Sequence, residues 1–188
     1  MPADHLEDLS YVVRAVRHSE RPRGVTAIYL LWAAVIAVGF ALPDFAPRWA
    51  GPFWLVAGIA GGLASWRLGT RQAARAGVRD ADLGRRYALH WLLAGAGFLL
   101  CVLPMLDGHG DAGRSAHTFM LVAGLCYALA GVHLDRSWLW PGLLMLAAYA
   151  VLTLFAPPFA WTISGLLIAG SLLWAGLRAR AQRRECLE

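Results

Sequence analysis

Six uncharged apolar stretches constrain this chain more than any other feature. They cover residues 25–43, 50–66, 87–105, 116–132, 138–154 and 159–177, and none contains Asp, Glu, Lys or Arg. Each runs 17 to 19 residues, within the range needed for an α-helix to cross a hydrocarbon core of about 30 Å. A soluble six-helix bundle would need a polar face on every helix, and these stretches show none. The expectation is an all-α integral membrane protein with six transmembrane helices arranged as three hairpins. Composition agrees: 15% of residues are charged, against about 25% in soluble domains. Nine Trp suit a protein with two lipid–water interfaces.

The basic residues give an orientation. All 17 are Arg. Arg14, Arg17, Arg21 and Arg23 precede the first stretch, and Arg67, Arg71, Arg75, Arg79, Arg85 and Arg86 follow the second. Arg136 lies between the fourth and fifth, and Arg178, Arg180, Arg183 and Arg184 follow the sixth. Only Arg48 and Arg114 fall in the alternate loops. Positive charge concentrates on the cytoplasmic side of membrane proteins, so both termini are expected there, in the plasma (inner) membrane. Residues 1–24 then form a cytoplasmic arm, 25–177 the transmembrane domain and 178–188 a basic cytoplasmic tail.

The arm shows no apolar core followed by a small-residue cleavage site, so the first stretch is expected to act as both targeting signal and anchor. Asp4 and Glu7 have the spacing of a capping box, and Leu6, Leu9, Val13 and Val16 recur at helical spacing. A short amphipathic helix over residues 4–19 follows, placed on the inner leaflet, docked to a cytoplasmic protein or packed on the chain's own loops. The net charge of +5 needs no nucleic acid, because topology and attraction to anionic lipid headgroups account for it.

The chain also says nearly the same thing twice. Residues 53–71 read FWLVAGIAGGLASWRLGTR and residues 119–136 read FMLVAGLCYALAGVHLDR. The preceding stretches match as well: Tyr29, Leu31, Gly39, Phe40 and Leu42 are spaced like Tyr87, Leu89, Gly97, Phe98 and Leu100. This pattern suggests an internal repeat of two-helix units sharing one orientation. Gly58 and Gly62 form a GxxxG pair, and Gly95, Gly97, Gly165 and Gly170 are placed for similar work. Small residues let helix backbones approach closely in lipid, here expected within one chain in preference to a homo-oligomer.

Chemistry-bearing residues are few. His90 and His133 lie near the inner ends of adjacent antiparallel stretches, at similar expected depth. Two imidazoles so placed can ligate a divalent metal or the iron of a haem. The simpler reading is a pair of interfacial histidines hydrogen-bonded to headgroups, water or a backbone carbonyl. Cys101 and Cys126 share helix stripes with them, but lie about 16 and 10 Å away along the axes at 1.5 Å per residue, which excludes a tetrahedral site from the four. Asp107, His109, Asp111 and His117 cluster in the outer loop, where carboxylates and imidazoles can surround a divalent ion, or simply form a solvated turn. Recognisable catalytic motifs are lacking, and no carboxylate lies within a span to couple ion transport.

The functional expectation is therefore a non-catalytic sensory, regulatory or interaction scaffold, with Arg67, Arg71, Arg75, Arg79, Arg85 and Arg86 as its surface for lipid or a cytoplasmic protein. The alternatives are a minimal transporter or channel working as an oligomer, and a haem- or metal-binding protein using His90 and His133.

Overall fold

The computed structural model of the chain describes residues 25–76, 81–106, 112–155 and 157–185. The arm, with its expected amphipathic helix, lies outside them. The described residues form six α-helices and no strands: α1 (Thr26–Phe45), α2 (Pro47–Ala76), α3 (Ala81–Leu106), α4 (Ala112–His133), α5 (Leu139–Leu154) and α6 (Ala160–Glu185). A 3₁₀ turn, Arg136–Trp138, leads into α5. Four segments among the described residues are long and apolar enough to cross a membrane: Thr26–Phe45, Arg114–His133, Arg136–Leu154 and Ala160–Ala181. The apolar part of α2 is diluted by Pro52 and a series of glycines.

Local chemistry sets the helix ends. A single residue, Ala46, separates α1 from α2, and Pro47 opens α2, at a first-turn position that needs no N–H donor. The stretch expected to be an Arg-rich loop is helical on both sides. α2 continues to Ala76 and α3 begins at Ala81, because Ala, Arg, Gln and Leu are strong helix formers whatever their polarity. The basic tail is likewise helical as far as Glu185. At the end of α4, the Leu134 and Asp135 amides both donate to the Ala130 carbonyl, and the Asp135 carboxylate caps the 3₁₀ turn by accepting from Ser137 N at 3.0 Å.

The packing only partly follows the hairpins. α1 lies against α2, α3 against α4 and α5 against α6, but the two largest interfaces join α1 with α6 and α4 with α5. Glycines explain these close approaches. A Cβ on Gly142 of α5 would fall on the Ala128 backbone of α4, and one on Gly165 of α6 would strike Phe40 of α1. Four helices thus form the centre, with α2 and α3 laid against it. Tyr29, Met120, Met145, Ile168 and Leu172 are fully buried there. The GxxxG pair behaves otherwise: a Cβ on Gly58 or Gly62 would meet nothing within 4 Å. Their expected role in packing within the chain falls instead to Gly124, Gly131 and Gly142, together with Gly165. The exposed residues Leu55, Ile59, Leu63 and Trp66 line the outside of α2.

Candidate functional site

One end of the bundle gathers most of the described Arg residues, with Arg48 and Arg114 in the opening turns of α2 and α4 at the other. Tyr29, near the start of α1, meets Asp135 after α4, while Gly176 late in α6 packs on Tyr29. Trp32 of α1 donates from Nε1 to the Ser65 hydroxyl late in α2 at 3.0 Å. The end of α2, the start of α3, the α4–α5 turn and the end of α6 therefore share a face. Arg67, Arg71 and Arg75 recur every fourth residue along α2, a spacing that keeps them near one stripe of the helix, and all three are exposed. Arg85 and Arg86 are exposed on the opening turns of α3, and Arg79 lies outside the described residues.

Beneath this basic rim sits an aromatic cluster centred on Trp138. Tyr29 stacks on Trp138 at 4.7 Å, while Trp91 and Tyr127 meet it edge-on at 5.8 and 5.3 Å. The Tyr29 hydroxyl donates to Asp135 Oδ2 at 3.1 Å. The turn between α4 and α5 is thereby fixed to α1, α3 and α4 at once. Sequence reasoning passed over Asp135 and treated Trp138 only as a span end. The local signal was an Asp two residues before a Ser, the spacing of an Asx turn.

His90 and His133 both line a cleft of about 390 Å³ between the start of α3 and the end of α4, together with Arg86, Leu89 and Leu134. The histidines play unequal parts. His90 is half-buried, lies edge-on to Trp91 at 5.2 Å and bonds through Nε2 to the Cys126 carbonyl at 3.0 Å. Cys126 is seven residues before His133 on α4, about 10 Å along the axis, so His90 reaches deeper than the end of α4. His133 is exposed. With Nε2–H donated to a carbonyl, His90 retains Nδ1 as its remaining ligand or proton-accepting atom. A haem iron or metal would have to use that nitrogen or break the interhelical bond. Among the described residues, no three His, Cys, Asp or Glu side chains lie together as a metal-ligand set.

Of the loop candidates Asp107, His109, Asp111 and His117, only His117 lies among the described residues. His117 is on α4, with its ring against Trp161 at 5.2 Å and Tyr149 at 6.5 Å. The notable contact at the other end of the bundle was not foreseen. Asp44 Oδ2, at the end of α1, accepts from Thr162 N at 2.8 Å and from Thr162 Oγ1 at 2.6 Å, capping α6 from another helix.

The fold and these sites define an all-helical chain with four helices suited to crossing a membrane and one Arg-rich end. Compared with known proteins, the chain matches no family model, no curated protein and no solved structure.

Proposed function

We propose that this chain is a six-span inner-membrane protein with both termini in the cytoplasm, serving as a scaffold whose Arg-rich end receives lipid or a cytoplasmic protein partner, without catalysis of its own. The observation that carries this reading is the length of α2. Thirty residues at 1.5 Å each make about 45 Å, well beyond the roughly 30 Å hydrocarbon core. The surplus is the segment bearing Arg67, Arg71 and Arg75. A basic projection continuing a helix that is uncharged from residue 49 to residue 66 is suited to meeting anionic surfaces or a partner.

The centre supports a platform over a pathway, being filled by large side chains, and among the described residues every buried side-chain nitrogen or oxygen has a hydrogen-bond partner. The repeat reading rests on sequence: Gly39 faces Trp54 and its counterpart Gly97 faces Val122, two residues out of register with that pairing. The haem or metal alternative has in its favour that His90 and His133 line one cleft, and against it the commitment of His90 Nε2 to Cys126.

Reporter fusions at the ends and loops test the topology: a terminus found on the outer side would overturn it. For the scaffold, the triple variant Arg67→Gln, Arg71→Gln, Arg75→Gln should insert normally but lose a co-purifying cytoplasmic partner or anionic-vesicle association. Retention of both at the wild-type level would sink the reading. A colourless, metal-free purified protein would dispose of the haem and metal alternative.

A further inference from the structure

We propose that the cleft between the opening turns of α3 and the last turn of α4 seats the phosphate of one anionic phospholipid, held by Arg86, His90 and His133. The inference rests on the membrane reading above and assigns a ligand to a cleft for which that reading names none.

Three observations converge on it. The cleft brings a guanidinium and two imidazoles to one depression of about 390 Å³, and Arg is suited to bidentate phosphate recognition. His90 is oriented by its bond to the Cys126 carbonyl, so a second proton on that ring would go to Nδ1 and give the imidazolium another donor. An apolar track then leads away from the polar groups. Leu89 and Leu93, one turn apart on α3, are 49% and 73% exposed, and Leu129 and Val132 on α4 are 50% and 66% exposed. Because α3 starts and α4 ends at the Arg-rich face, both tracks run from the cleft toward the middle of the bundle. A charged head and apolar tails match that layout, whereas a free anion would use only its polar end.

The nearby carboxylates lower the positive charge of the site without occupying it. Asp135 keeps its charge but turns one oxygen to Tyr29 and the other to Ser137. Asp82, one turn before Arg86, is exposed, where an ion pair contributes little.

The test uses the full chain in a mild detergent, with bound lipid read by native mass spectrometry. The probes are phosphatidylglycerol, phosphatidylcholine and inorganic phosphate. Phosphatidylglycerol should give a one-to-one adduct that phosphatidylcholine does not. The double variant Arg86→Gln, His133→Gln should weaken that adduct about tenfold or more, as loss of charge-assisted hydrogen bonds implies. Both positions are exposed, so melting without lipid should stay unchanged and separate lost binding from lost folding. Arg178→Gln, at the same end but outside the cleft, should retain the adduct.

Equal binding by the double variant, or equal loss in Arg178→Gln, would overturn the proposal. Displacement of the lipid by millimolar inorganic phosphate would assign the site to a free anion instead. A Soret band or stoichiometric metal lost in His133→Gln would assign it to a cofactor. Release of the chain from membranes by alkaline carbonate alone would refute the membrane reading itself. Retention until detergent is added, without lipid discrimination, would refute only the headgroup site.

Discussion

Asp44 and Asp135 fasten opposite ends of the molecule by different means. At the end away from the Arg-rich face, α6 begins just after Phe159, whose backbone is left-handed with φ of 56°, and Asp44 supplies the cap from α1. Loss of an N-cap costs about 0.5–2 kcal/mol, so Asp44→Ala should lower the melting temperature in detergent while Asp44→Asn recovers part of it. At the Arg-rich end, Tyr29→Phe keeps the ring stacked on Trp138 but removes the donor to Asp135. A hydrogen bond to a charged group contributes about 1.5–3 kcal/mol, and an unshifted melting midpoint would show that this one contributes nothing. Glycine positions give a sharper contrast. Gly142→Ala drives a methyl into the Ala128 backbone and should cost about 1–3 kcal/mol or more, whereas Gly58→Ala, with open space around it, should leave melting unchanged or slightly raised.

Among the elements, the apolar cores of the helices were legible because a bilayer demands long uncharged runs and leaves few other ways to satisfy the backbone. Their ends were less so. Reading hydropathy stops a helix at its first Arg, but backbone hydrogen bonding does not, and α2 continues through Arg67, Arg71 and Arg75. Gln72→Pro tests this continuation. It removes an interior hydrogen bond and clashes with the preceding turn, at about 3 kcal/mol. Hydrogen exchange should then show residues 73–76 unprotected and residues 53–66 unaffected; full protection past residue 72 would contradict the helix.

The site was partly legible too. Counting residues from the span ends placed His90 and His133 near one another, and both line the cleft. The acceptor for His90 is a backbone carbonyl, which has no side-chain signature to read. The Asp44–Thr162 and Tyr29–Asp135 bonds join residues 118 and 106 positions apart. Such pairings depend on which helix faces meet, and local spacing carries no record of that.

In the whole molecule, α1, α4, α5 and α6 form the centre and α2 and α3 lie against it. The largest contact joins the first and last of the described helices, where Tyr29, Ala33, Ile36 and Phe40 of α1 are covered in part by Ile168, Leu172, Ala175 and their neighbours on α6. Synthesis delivers these two surfaces far apart in time. If the helices enter a bilayer in chain order, α1 does so with this small-residue and aromatic side uncovered by α6 until that helix has been made. Assembly in that order would leave a truncated chain with this side of α1 uncovered. A chain released before residue 160 should insert yet be cleared quickly, and a pulse-chase lifetime equal to that of the intact chain would refute this. The same timing makes the interval before α6 arrives the period in which a chaperone or a second subunit would find α1 open.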